Sequence, residues 1–93
     1  MTELLLQILT KATSEAEFKK ILAITLTEKE LEMVEERWQI FAAYKNNDSQ
    51  REAAKHANCS IVTATRGAKV YRDDQKFIGK MLSRIESDVV NTK

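Results

Sequence analysis

The chain has no proline, two glycines, one cysteine, one histidine and one tryptophan among its 93 residues. Each scarcity excludes something. Without proline, nothing forces a kink, and with so few glycines and β-branched runs the composition favours helix almost throughout. The single cysteine, Cys59, rules out an intramolecular disulfide framework. Its place in a turn suits a small buried apolar residue, the alternative being a redox-sensing thiol. The single histidine, His56, lies a turn away from Cys59, so the two form no nucleophile pair, and it reads as a solvent-facing polar residue. The sequence shows no metal-ligand cluster, phosphate loop or acid pair, and nothing points to an enzyme. No stretch approaches the roughly 20 apolar residues of a membrane span, and the N-terminus lacks the basic start and cleavage site of a secretory signal. The expected location is cytoplasmic.

What is present is a set of short amphipathic segments, 43% of residues being hydrophobic. One domain spanning residues 1–93 is expected, at the small end of what holds a core on its own. The formal net charge is only +1, but it is unevenly spread. Residues 1–48 carry six basic and nine acidic side chains, whereas residues 49–93 carry nine basic and five acidic. Within the basic half, Arg51, Lys55, Arg66, Lys69, Arg72 and Lys76 suit either phosphate contacts along one surface or a solvated charged face.

The spacing predicts six helices. Residues 2–12 place Leu5, Ile8, Leu9 and Ala12 on one stripe. Ser14 and Glu17 form a capping box that opens the second helix, with Phe18, Ile21 and Leu22 as its apolar face. Thr27 and Glu30 form another, and the long helix they start runs to about Lys45. It carries two apolar stripes: Leu31, Val34, Trp38 and Phe41, then Met33, Ile40 and Tyr44. That surplus either folds back in a compact monomer or is covered in an intimate dimer, which two-fold DNA sites would favour. Trp38 reads as core or dimer interface. Asn46-Asn47-Asp48 is a polar turn, and after Arg72 either Asp73 or Asp74 caps a last helix bearing Phe77, Ile78, Met81, Leu82 and Ile85. The tail from Val89 to Lys93 is expected to fray.

Residues 49–67 read as a helix-turn-helix, each half with its own start signal. Ser49 with Glu52 makes a full capping box, and Ser60 with Thr63 repeats the hydroxyl cap. Ala53, Ala54 and Ala57 recur at helical spacing, letting a second helix cross closely. Asn58 falls at the bend, where asparagine tolerates a left-handed backbone better than most residues. The second helix would enter the major groove of duplex DNA with Ile61, Val62 and Thr65 at its edge. Ile61 and Val62 can touch thymine methyls but form no bidentate hydrogen bonds, so specificity would rest on Thr65, bridging waters and DNA shape. Packing of Ile61 inside the motif is the competing assignment. Gln50, Arg51, Lys55, Lys69 and Arg72 would hold the DNA backbone.

With these residues in place, the sequence resembles the Trp repressor family. The resemblance rests on Leu26-Thr27-Glu28-Lys29-Glu30, Arg37, Ser49-Gln50-Arg51-Glu52 and Ile61-Val62-Thr63-Ala64-Thr65-Arg66-Gly67, and a sixth helix fits the same plan. The Ser-Gln-Arg-Glu start is common among helix-turn-helix proteins, whereas the Thr-x-Thr-Arg-Gly run is more telling. The resemblance implies an all-α, six-helix, intertwined homodimer that represses transcription by binding operator DNA. It also implies L-tryptophan, or a related indole, as corepressor between the dimer core and the second motif helix. Residue by residue, Arg37 and Arg66 would flank the indole, with Arg66 pairing the carboxylate, and Thr27 would add a hydrogen bond. Thr63 and Gly67 would line the pocket, any side chain at Gly67 colliding with the ring. The carbonyls of Ile24 and Leu26 would take the ammonium. This chain departs at Val70, where the best-known members carry a serine that helps hold the ammonium; losing such a bond costs about 1.5 to 3 kcal/mol. The turn before the motif is also one residue shorter, which would shift the reading heads. The residues alone leave three alternatives open: a ligand-independent DNA-binding regulator, a helical adaptor for protein or RNA, and simple surface or phosphate-binding roles for Arg37 and Arg66.

Overall fold

The computed structural model describes residues 2–91, with side chains up to residue 86. Among the described residues the chain is all-α, with six helices and no strand. These are α1 (Glu3–Lys11), α2 (Glu15–Thr25), α3 (Glu28–Lys45), α4 (Gln50–Ala57), α5 (Ile61–Asp73) and α6 (Gln75–Asn91). The last helix thus continues into the tail expected to fray, and residues 92 and 93 lie outside the described residues.

The starts follow the hydroxyl caps. Thr27 and Glu30 exchange both bonds of a capping box, Glu30 N–H donating to Thr27 Oγ1 at 3.1 Å and Thr27 N–H to Glu30 Oε1 at 2.8 Å. Ser49 and Glu52 do the same at 3.1 and 2.9 Å. The box expected at Ser14 is displaced. Ser14 Oγ accepts from Glu17 N–H, but the Glu17 carboxylate reaches back to Thr13, which offers both its N–H at 2.8 Å and its hydroxyl at 3.0 Å to one oxygen. Two donors on Thr13 outcompete one on Ser14. Of the two aspartates after Arg72, Asp74 occupies the junction, its carbonyl accepting from Ile78 N–H, while Asp73 turns back to pair with Lys69.

α3 and α4 end by the same device. Asn47 and Asn58 both have positive φ, 66° and 55°, and each lets the following N–H bond five residues back, Asp48 to Ala43 at 3.0 Å and Cys59 to Ala54 at 2.9 Å. Each asparagine also bonds back by its own N–H, to Tyr44 and to Lys55. Two residues after each asparagine comes a serine cap, so α4 and α5 are entered through matching Asn-x-Ser turns.

The chain divides into two compact units, Met1–Met33 and Val34–Lys93. In the first, neither α1 nor α2 contains a buried residue, and Leu4, Leu6, Ile8, Phe18 and Ile24 are exposed. The second holds a core of two clusters. Ala43, Ala53, Ala54 and Ala64 form one, where alanines let α3, α4 and α5 approach closely, with Cys59 packed against it. Phe41, Tyr71 and Ile78 form the other, with Leu82 alongside. Tyr44 packs on both clusters and donates its hydroxyl to the Ala64 carbonyl at 2.6 Å. Trp38 stands edge-on to Phe41 at 5.3 Å and remains 39% exposed.

Candidate functional site

The helix-turn-helix is formed by α4 and α5, the most extensively packed helix pair of the second unit. Helical spacing gives α5 three faces. Ala64, Ala68 and Tyr71 are buried and fasten it to the core. Val62, Thr65, Lys69 and Arg72, at intervals of three and four, form an exposed outer stripe. Between these runs a third stripe of Thr63, Arg66, Gly67 and Val70, in which Thr63 and Gly67 are half-buried and Arg66 and Val70 exposed.

The outer stripe carries the residues expected to meet DNA. Ile61 and Val62, in the first turn, are 49% and 60% exposed, so the packed alternative for Ile61 does not describe it. Gln50, Arg51 and Lys55 are exposed on α4. The start of α4 adjoins the outer stripe of α5 directly, because Thr65 Oγ1 donates to Gln50 Oε1 at 3.0 Å. Lys69 is held by Asp73 at 2.9 Å, an exposed pair of the kind that contributes little and exchanges readily. Arg72 and Gln50 border an open cavity of about 460 Å³ that is also lined by Tyr44, Asp48, Tyr71 and Gln75.

The residues expected to meet a ligand fall in both units. In the first, Thr27 caps α3, and its hydroxyl oxygen already accepts from Glu30, leaving the hydroxyl hydrogen to donate. Ile24 lies in the last turn of α2, where carbonyls have no partner within the helix, and Leu26 follows it. In the second, Arg37 and Arg66 are exposed, and among the described residues neither joins an ion pair. The Thr63 hydroxyl lies 2.9 Å from the Ser60 hydroxyl. Packing alone calls for glycine at position 67: a Cβ at Gly67 would come 2.7 Å from Cγ2 of Ile40, which is only 2% exposed.

Three supports of the site went unread in the sequence. Tyr44 anchors α5 across 20 residues of chain, and Ile40 seats Gly67; both contacts are too distant in sequence for periodicity to find. Asp48, from the turn before α4, places its carboxylate 2.6 Å from His56 Nδ1, fastening that turn to the last turn of α4. His56 remains largely in solvent, as expected of it. The repeated Asn-x-Ser at 47–49 and 58–60 was the one local signal that could have announced the matching turns. Burial, with Glu36 second, pushes the Cys59 thiol up from its usual value, which suits a packed, protonated residue better than a reactive thiolate.

Residues 2–86 match the family described as Trp repressor protein. A Trp operon repressor homolog from Xylella fastidiosa (strain 9a5c) is 38% identical over 84 residues, covering 87% of this chain and 91% of the relative. Homologs of the same description from strains M23 and Temecula1 are 37% identical over the same span. No solved structure matches. No helix among the described residues is long and apolar enough to cross a membrane. The chain belongs to the Trp repressor family, and it is a transcriptional repressor rather than an enzyme.

Proposed function

We propose that the protein is a sequence-specific DNA-binding repressor whose operator affinity is raised by L-tryptophan or a related indole. The observation that carries this reading is the two-sidedness of α5. Its outer stripe, with Gln50, Arg51 and Lys55, offers cations and small side chains to a groove and its phosphates. Its adjoining stripe offers Arg66, Thr63 and the bare backbone of Gly67 to a ligand. A bound indole carboxylate would be flanked by the Arg37 and Arg66 guanidinium planes, with the Thr27 hydroxyl donating and the Ile24 and Leu26 carbonyls receiving the ammonium. The ligand then restrains α5 while the outer stripe is still free to meet DNA, and any gain in DNA affinity is matched by an equal gain in ligand affinity.

The active species is a homodimer working as one DNA-binding domain per chain, in the cytoplasm. Support comes from α1 and α2, which have apolar side chains but no buried residue. Each such side chain gains about 1.5 to 3 kcal/mol when fully covered. A second copy supplies that cover and doubles the reading head, matching a two-fold operator.

One observation favours a ligand-independent variant. The space beside Gly67 is occupied by Ile40, and Val70 provides no hydrogen bond to an ammonium group. Calorimetric titration of tryptophan into wild type and Arg66→Ala separates the two. Heat with saturation in wild type and its loss in Arg66→Ala are expected; no heat in wild type leaves the ligand-independent repressor.

A further inference from the structure

Thr65 and Gln50 were assigned separate tasks, the threonine at the base edges and the glutamine at the DNA backbone. The bond between them makes that separation untenable. We infer that the two act as one recognition unit, in which the Thr65 hydroxyl fixes the Gln50 carboxamide so that its NH2 group is presented to a hydrogen-bond acceptor on DNA. This rests on the reading that the outer stripe of α5 binds DNA.

The chemistry follows from counting hydrogens. A hydroxyl has one, and that of Thr65 is directed at Gln50 Oε1 over 3.0 Å. Thr65 keeps lone pairs with which to accept but has no further donor to give a base. Gln50 has its carboxamide oxygen engaged, which settles which way the amide faces, and its nitrogen carries two donors. Both side chains are exposed, so packing does not fix them. Gln50 opens α4 and Thr65 lies on the second turn of α5, so the bond also joins the two helices at the surface they would offer to DNA. Laid against a duplex, this pair would lose its surrounding water, and a bond worth little in solvent would then strengthen. Thr65 is thus a positioning residue, and Gln50 is the donor that touches DNA. The acceptor is either a phosphate oxygen or the acceptor edge of a purine, such as N7.

The test is a double-mutant cycle on full-length protein, using the duplex that wild type enriches from a random pool in the presence of tryptophan. Thr65→Val and Gln50→Ala should each weaken binding about threefold to tenfold. The double variant should bind no worse than Gln50→Ala alone, and Thr65→Ser should restore wild-type affinity. Melting temperatures should stay at the wild-type value, since neither residue is buried, which separates positioning from a structural role. If Gln50→Ala weakens every sequence equally, the acceptor is phosphate; if it relaxes preference at one base pair, the acceptor is a base edge. Both support the unit. Losses that multiply in the double variant, or a change of base preference in Thr65→Val that Gln50→Ala does not share, would overturn the unit while leaving DNA binding intact. A wild type that enriches no sequence overturns the DNA reading and the unit together.

Discussion

Replacing Gly67 by alanine would put a methyl group 2.7 Å from Cγ2 of Ile40. Ile40 is 2% exposed and belongs to the core of the second unit, and its branched Cβ leaves it few rotamers into which to retreat. Overpacking of this kind costs about 1 to 3 kcal/mol, against which alanine returns up to about 1 kcal/mol in helix propensity. The clash wins. A net loss of up to about 2 kcal/mol should lower the melting midpoint by up to about 15 °C for a chain of this size. Circular dichroism at fixed protein concentration reads this directly, the concentration being held because the midpoint of the proposed dimer would depend on it. Ile40→Leu moves the branch away from Cβ and so vacates the Cγ2 position at nearly constant volume, costing under about 1.5 kcal/mol by itself. The double variant should therefore be more stable than the sum of its parts by about 1 kcal/mol or more. A Gly67→Ala protein that melts at or above wild type, or a strictly additive double variant, would refute the packing argument. The double variant also separates packing at Gly67 from its proposed contact with a ligand. Where packing has been restored, any loss of tryptophan binding that persists belongs to the ligand and not to Ile40.

Gly79 is the control, because nothing lies within 4 Å of a Cβ built there; Gly79→Ala should stabilise the protein by about 0.5 to 1 kcal/mol in the same melting assay. Tyr44→Phe removes the 2.6 Å bond to the Ala64 carbonyl and should cost about 1 kcal/mol, with hydrogen-exchange protection falling more in α5 than in α3. Asn58→Ala loses the short polar side chain that makes the left-handed backbone tolerable and should cost about 1 to 2 kcal/mol in denaturant titration, whereas Asn58→Gly should be tolerated. Acid should weaken the fold through the capping carboxylates. Backbone hydrogen bonds first, and hydroxyl bonds second, hold Glu17, Glu30 and Glu52 below their ordinary 4.5. Each therefore contributes stability above that value and loses it as pH falls through its lower folded value, so the midpoint should drop as pH falls from about 5 through those lowered values, less steeply in a Glu30→Gln, Glu52→Gln variant.

Features with local causes were legible in the sequence. The hydroxyl caps at Ser14, Thr27, Ser49 and Ser60 act within three residues, and all four begin helices as expected, with Glu17 alone choosing a different partner. The alanine face of α4 and the bend at Asn58 were legible for the same reason. Contacts between helices were not. Tyr44 was assigned to an apolar stripe, but nothing local says that its hydroxyl meets Ala64. Gly67 was explained by a ligand ring because the Thr-x-Thr-Arg-Gly run suggests one, and its contact with Ile40 depends on how α3 and α5 cross. Thr65 and Gln50 could each be placed on the outer surface from their spacing, yet their pairing exists only once the turn at Asn58 brings the two helices together.

In the proposed function a small indole ligand and DNA communicate through α5. That coupling is tested most directly by measuring the affinity of wild-type protein for its selected duplex with and without saturating L-tryptophan, at one salt concentration. Binding should be tighter with tryptophan, by at least about fivefold, with no such gain in Arg66→Ala. Equal affinities in wild type with and without tryptophan would contradict it.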